Sequence, residues 1–409
     1  MSDALKLSPL LVIYLLVILL FSPNGLTHDE PRYLMFAGHL SQGYYTSASE
    51  LNLWNGPGYP LVLLPFAWLK VPLIWARLLN AFFLFGALIF FHRILSLYLD
   101  TRPAFYCSLL FGLFPPLFSH LSLLITETFV IFLICGFAYY YVQTCRSSTF
   151  SWGHWLAAGL FGGYLAVTKV LFGYVLLLGL VFFYVLYLWR RKPSFGRPAG
   201  IYLLSLVLCT PYLGYTYSLT GKFFYWSDAG GLSLYCMTTP YEEEYGDYFG
   251  ETKIRDNLPW IKHHGKFFYE DILPRSLVEQ DEVFKKQALR NIVDHPLKLI
   301  KNWLANWGRL FFNYPYSYTT QKLSTYAYMI PNMFLVVMMT FSLIPTVLRR
   351  RSIPQEIFGL LFWACVALGG SSLLSAYVRQ FIIVTPLFFL WIIFVWMKIV
   401  KIELIKEAK

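Results

Sequence analysis

What most constrains this chain is a succession of apolar windows, each close to the roughly 20 residues that a helix needs to cross a bilayer. They fall near 7–22, 73–91, 103–118, 121–142, 155–168, 170–189, 199–217, 327–348, 355–376 and 380–398. Only 13% of the residues are charged and 57% are hydrophobic, whereas a soluble protein carries about 25% charged residues. Too little polar surface is left to cover a soluble globule. The expected fold is an all-α polytopic integral membrane protein of about ten transmembrane helices. A disordered chain, a coiled coil and a disulfide-stapled secreted domain are excluded. The window at Leu7 to Phe21 has no small-residue cleavage site after it, so it reads as the first span and not as a removed signal. Six cysteines sit mostly inside apolar runs, with no CxxC and no His–Cys spacing. Neither a disulfide framework nor a zinc site is indicated.

Two breaks set the count. The Pro115-Pro116…Ser119-His120 break separates the third and fourth windows, since paired prolines stop helices. The stretch Trp155 to Trp189 is too long for one untilted helix, and Lys169, costly at the bilayer centre, places the break at Thr168-Lys169. With ten spans, Arg93 and Arg102, Arg146, Arg190-Arg191-Lys192 with Arg197, Arg349-Arg350-Arg351, and Lys398, Lys401, Lys406 and Lys409 all fall on one side. That side is the cytoplasm by the positive-inside rule, with both termini in it. The chain then divides into an N-terminal membrane module at 1–217, an outer-face segment at 218–326 between the seventh and eighth spans, and a C-terminal membrane module with its tail at 327–409.

The net charge of +11 therefore needs no nucleic acid. The 218–326 segment holds 13 acids and 13 bases, leaving nine acids and twenty bases elsewhere. The excess base is a topology signal together with a few special residues.

Those special residues gather at the outer side. Thr27-His28-Asp29-Glu30-Pro31-Arg32-Tyr33 follows the first span and leads into a helical pattern. The plain reading makes Asp29 an N-cap with Glu30 and Pro31 in the first turn. In the functional reading, a carboxylate pair stands one turn from Arg32, which binds an anion while an acid serves as general base. Trp54-Asn55-Gly56-Pro57-Gly58-Tyr59-Pro60 reads as a rigid turn that needs no function. Glu127, Lys169 and Arg379 are ionisable residues at the edges of apolar runs, where burial costs a few kcal/mol unless the group is paired or functional. The plain reading has them snorkelling or pairing with one another. In the functional reading all three meet Asp29, Glu30 and Arg32 at one lipid–water boundary, where bases bind a lipid phosphate and an acid serves the nucleophile.

Within 218–326, Glu242-Glu243-Glu244 and His263-His264 lack metal spacing and read as a solvated acidic run with loop histidines. Lys285 to Phe312 reads as amphipathic helices broken at Asp294-His295-Pro296. Trp303 and Trp307 suggest a helix lying on the membrane surface.

At these residues the sequence resembles the polyprenyl-phosphate-dependent glycosyltransferases of the GT-C superfamily, in the branch with protein O-mannosyltransferases and the lipid A aminoarabinose transferase. Asp29-Glu30-Pro31-Arg32-Tyr33, Gly56-Pro57-Gly58-Tyr59-Pro60 and Thr126-Glu127 match in order, most strongly across residues 1–190. Leu289…Asp294-His295-Pro296 and Arg379 with Pro386 are weaker echoes. The resemblance implies a GT-C-like bundle and an inverting transfer of a sugar from a polyprenyl-phosphate donor to a lipid, glycan or protein acceptor on the outer face. Asp29 and Glu30 would be the catalytic acids. Arg32, Tyr33, Lys169 and Arg379 would bind the donor phosphate, and Glu127, Asn55 and Tyr59 would shape the site. Bacterial members often carry a lysine where this chain has Asn55, so Lys169 and Arg379 supply the missing charge. No cofactor is assigned; a divalent metal, seen or proposed in some relatives, stays open, although no histidine here matches its ligands. A lean chain without a eukaryotic retention signal points to a prokaryotic plasma membrane. A non-catalytic lipid or glycan flippase and a diphosphate-donor polymerase or ligase share the topology. Charges at one face and the lack of inverted repeats weigh against the flippase.

Overall fold

The computed structural model describes residues 3–47, 51–250, 262–317 and 323–400; Lys401, Lys406 and Lys409 of the basic tail lie outside them. The N-terminal half runs α1 (Asp3–Phe21), α2 (Glu30–Ser41), α3 (Gly58–Leu69), α4 (Leu73–Ser96), α5 (Thr101–Gly112), a 3-10 turn at Pro115–His120, α6 (Thr126–Arg146), α7 (Trp152–Thr168), α8 (Leu171–Arg190), α9 (Pro193–Leu208) and α10 (Thr210–Thr220). Then follow α11 (Gly230–Met237), α12 (Lys262–Phe267), α13 (Leu277–Asp294), α14 (Pro296–Phe312), α15 (Tyr326–Leu348), α16 (Gln355–Ser372), α17 (Val378–Ile382) and α18 (Thr385–Phe394). No strand occurs among the described residues, and the all-helical polytopic expectation holds.

Helices α4, α6, α8 and α15 are each long and apolar enough to cross a membrane, and α9 with α10, bent by 47°, make a fifth candidate. The bend follows from Pro211 in the first turn of α10, which has no backbone N–H to continue the ladder. The remaining windows correspond to shorter helices. The third ends at Gly112, ahead of the Pro115-Pro116 turn. The last is split into α17 and α18. Helix α3 has no window of its own, so the Gly/Pro turn is followed by an apolar helix.

Helix α6 is the centre of the bundle, packed against α4, α7, α9, α16 and α18. Its apolar residues are buried around most of its circumference, the pattern of a helix enclosed by other helices. By contrast α15 leaves Ile330, Phe334, Phe341, Ile344 and Val347 exposed, as a lipid-facing helix does. Helices α7 and α8 form the expected hairpin, with Lys169 in the break.

Helix α14 is built inside out. Leu297, Ile300 and Leu304 are exposed, while Lys298, Asn302, Asn306 and Arg309 are buried. The buried amides satisfy backbone that no helix or sheet would satisfy. Asn302 Nδ2 donates to the carbonyls of Met237 and Thr239, at 3.1 and 3.0 Å. Asn306 Nδ2 donates to those of Ser372 and Leu374, at 2.8 and 2.6 Å, and its Oδ1 accepts from Ala376 N at 2.9 Å. The loop leading to Arg379 is therefore cast against α14. Its outward apolar face agrees with the surface helix read from Trp303 and Trp307, although Trp303 Nε1 turns in to donate to Ser372 Oγ at 3.2 Å.

Helices α11 to α13 share a smaller core around Tyr235, Phe249, Phe268 and Phe284. This core corrects the reading of the acidic run. Glu242 and Glu243 are solvated as expected, but Glu244 and His264 are both buried and joined at 2.9 Å, with Tyr235 Oη 2.7 Å from the other ring nitrogen. Sequence spacing could not show this pairing, since 20 residues separate the two partners.

The Gly/Pro turn has a packing reason for its glycines. A side chain at Gly56 would run into the Val167 carbonyl, and one at Gly58 into Thr168. The turn thus seats on the end of α7, just before Lys169. Overpacking of this kind costs about 1–3 kcal/mol. We expect Gly56→Ala to lower the thermal unfolding temperature of the detergent-purified protein, whereas Gly214→Ala, inside α10 with nothing within 4 Å of the added carbon, should leave it equal or raise it slightly.

Candidate active site

The site starts from a chain reversal after α1. His28 takes a left-handed backbone conformation, φ 54°, which only a few residue types besides glycine adopt readily. Asp29 then occupies the N-cap position of α2, but its side chain makes no cap hydrogen bond. The plain reading thus holds for position, with Glu30 and Pro31 in the first turn, but the Asp29 side chain does not cap the helix. The carboxylate points away from the helix and is held by two guanidiniums, Oδ1 by Arg32 NH2 at 2.9 Å and Oδ2 by Arg379 NH1 at 2.8 Å. Burial alone would push this carboxyl up, but Arg379 and Arg32 outweigh it and hold the group below the usual aspartate range.

Glu30 does something else. It is fully buried, and its Oε1 accepts from Arg77 at 3.1 Å and from Leu124 N at 2.8 Å, while Oε2 accepts from Thr27 N at 2.7 Å. Of the two acids expected to be catalytic, Glu30 is thus placed away from the cavity, with its acceptor positions filled by structural donors. Arg77, itself 4% exposed, also donates to the carbonyls of Pro23 and Gly25. The sequence reading missed Arg77. Its signal was present, since it is a charge inside the 73–91 apolar window, the criterion that singled out Lys169.

Glu127 opens α6, where an acid suits the helix dipole. Lys169 Nζ reaches it at 2.9 Å, and Arg379 Nε approaches the same oxygen at 3.7 Å. Asp29, Arg32, Arg379, Glu127 and Lys169 thus form one alternating chain of charge, as the common side of these residues implied. Asn55 stands beside it, its Oδ1 accepting from Arg32 Nε at 2.6 Å and its Nδ2 donating to Tyr33 Oη at 3.2 Å. Tyr33 and Tyr59 are buried edge to face with ring centroids 5.2 Å apart; Tyr33 holds Asn55, and neither ring lines the cavity described next. Arg32 lies over Trp54, 5.5 Å from the ring centroid, and Arg379 over Tyr377 at 5.1 Å.

Next to this network is a cavity of about 450 Å³, lined by His28, Asp29, Ser119, His120, Tyr377 and Arg379 among others. Of the nine site residues expected, Asp29 and Arg379 line it; Arg32, Lys169 and Glu127 lie behind them as their partners. His28, Ser119 and His120 were not selected from the sequence, and the Ser119-His120 pair had served only as a helix break. Among the described residues, no group of three His, Cys, Asp or Glu side chains comes together to hold a metal ion.

A second, apolar groove of about 820 Å³ runs between α5, α15 and α18, lined by residues such as Leu110, Pro115, Phe334 and Phe389. The two spaces share walls. Pro115 of the groove and Ser119-His120 of the cavity lie on one 3-10 turn, and Ile330-Pro331 and Tyr328 lie on α15.

No protein-family model matches the chain, and no curated protein sequence does. Solved structures do resemble it. The archaeal oligosaccharyltransferase AglB from Archaeoglobus fulgidus, in complex with an inhibitory peptide and a dolichol-phosphate, matches with TM-score 0.50 and 12% identity over 94% of this chain. The match covers 49% of AglB, so this chain spans about half its length. ArnT from Cupriavidus metallidurans bound to undecaprenyl phosphate matches with TM-score 0.44 and 13% identity, over 96% of this chain and 76% of ArnT. The likeness to AglB bears out the GT-C-like fold expected from the motif order.

The Glu30–Arg77 pair ties three segments to α4. Removing one partner of a buried pair costs about 3–5 kcal/mol, because the other charge stays buried alone. Arg77→Met should lower stability by about that much in chemical or thermal denaturation, and adding Glu30→Gln to it should recover part of the loss.

Proposed function

We propose that this protein is a membrane glycosyltransferase that moves a sugar from a polyprenyl-phosphate donor to an acceptor hydroxyl by inverting displacement. The observation that carries this reading is the polar cavity of Asp29 and Arg379 sharing walls with a large apolar groove. A phosphate at the cavity would meet Arg379, whose guanidinium suits a dianion, while a prenyl chain would occupy the groove. Arg32 and Lys169 add positive charge one step further back. Neutralising charge on the departing phosphate lowers the barrier to breaking the anomeric bond. Asp29 directs the acceptor hydroxyl, as base or as orienting acid. In this reading the site, with segment 218–326, faces the exterior, and the basic clusters face the cytoplasm. The acceptor is a lipid, a glycan or a protein.

The test is transfer by purified protein from synthetic polyprenyl-phosphate hexoses and pentoses. Asp29→Asn should lose about 10²–10⁴ of kcat/KM with its thermal stability retained. Arg379→Gln should raise the KM for the donor more than it lowers kcat. Full activity in Asp29→Asn would overturn the role of that residue, and protein-dependent lipid translocation without sugar release would instead mark a transporter.

A further inference from the structure

The two arginines that hold Asp29 leave the site short of a free base. Each carboxylate oxygen accepts from a guanidinium, at 2.9 and 2.8 Å, and against burial these two positive charges hold the carboxylate below its usual range, which weakens it as a proton acceptor while leaving a lone pair on each oxygen to accept a hydrogen bond. A second candidate lines the same cavity. Ser119 Oγ lies 2.6 Å from the Pro116 carbonyl and 2.8 Å from His120 Nδ1. A hydroxyl has one proton. The Pro116 carbonyl can only accept, so Ser119 gives its proton there and must accept from its other partners, His120 and the hydroxyl of Tyr328 from α15, whose ring stands 6.4 Å from the imidazole. Nδ1 of His120 therefore carries the ring proton, and Nε2 carries the free lone pair. No hydrogen bond to Nε2 occurs among the described residues, and it is the ring nitrogen left for whatever occupies the cavity.

We infer that His120, held in this tautomer by Ser119, is the general base that takes the proton of the attacking hydroxyl, with Asp29 orienting that hydroxyl instead of deprotonating it. This rests on the sugar-transfer reading above. As the acceptor oxygen bonds to the anomeric carbon, its proton passes to His120 Nε2. The anomeric carbon–oxygen bond breaks, and its electron pair leaves on the polyprenyl phosphate. The imidazolium then gives its proton to that phosphate, which restores the neutral ring. The surroundings suit such a relay. Burial pushes the His120 imidazole down to about 4, against the pull of Glu127 from α6, with Arg379 from α17, Lys169 from the α7–α8 hairpin and His28 also lowering it. The ring is thus neutral at physiological pH, and once protonated it is acidic enough to return the proton at once.

Sugar release to water from a panel of synthetic polyprenyl-phosphate hexoses and pentoses tests the assignment, with affinity for polyprenyl phosphate itself measured in parallel. In the wild type, log kcat/KM should fall as pH drops through about 4. His120→Gln keeps a hydrogen-bond acceptor near the Nε2 position but no basic nitrogen. It should lose about 10²-fold or more in kcat, change phosphate affinity by less than about threefold, and lose the acid limb. His120→Ala should be partly rescued by added imidazole, which a merely structural loss would not be. Near-wild-type kcat in His120→Gln, or a loss explained by weaker phosphate binding, overturns the base assignment while leaving sugar transfer standing. No sugar release by the wild type from any donor overturns the transfer reading, and the base assignment with it.

Discussion

The buried Glu30–Arg77 pair is the interaction on which the rest of the site depends. A charged pair out of water is tolerated only when its remaining hydrogen-bonding positions are filled. Here they are filled by backbone from Pro23, Gly25, Thr27 and Leu124. Charge satisfaction and chain routing are thus the same contacts. They bring the end of the first helix and the entrance to α6 against α4, and Asn80 of α4 adds the carbonyls of Leu121 and Leu123. Asp29 and Glu127 are the neighbours of these anchored points, so their separation is set by a network that takes no part in chemistry.

The other half of the site comes from far along the chain. Arg379 reaches Asp29 across 350 residues, and its loop is held by Asn306 of a helix whose polar face points inward. An inside-out amphipathic helix costs little where its apolar face meets lipid, and it supplies donors for irregular backbone that would otherwise be buried unsatisfied. Segment 218–326 therefore builds the site without adding a charged residue to it. Arg379 is shared between Asp29 and Glu127, so three bases face two carboxylates and the cluster keeps one net positive charge at rest. A phosphate arriving at Arg379 would meet a guanidinium already oriented, with its ordering cost met by Asp29.

The features legible in the sequence were those with a local or periodic signature. Apolar windows announced the helices, Pro115-Pro116 and Lys169 announced breaks, Glu127, Lys169 and Arg379 stood out because charge is rare in apolar surroundings, and Asp29 stood out in the charged motif that follows the first span. Less legible were roles within one motif. Asp29 and Glu30 are adjacent and chemically alike, yet a left-handed turn at His28 sends one carboxylate to the cavity and the other into the core. Glu244 and His264 looked like loop residues because composition carries no information on which member of an acidic run turns inward. Ser119 and His120 were read as a helix break, and their hydrogen-bond geometry exists only in the folded 3-10 turn.

By itself, then, the sequence determined an all-helical membrane fold and the short set of charges that such a fold must pair, because both follow from the cost of placing polar groups in hydrocarbon. The tertiary structure decided which charges pair and which remain available. Glu30 went to Arg77, Lys169 to Glu127, and Asp29 to two arginines from opposite ends of the chain, leaving the cavity to Asp29, Arg379 and His120. Pairing of this kind depends on distances of about 3 Å between residues tens to hundreds of positions apart, a quantity that only the packing of helices sets.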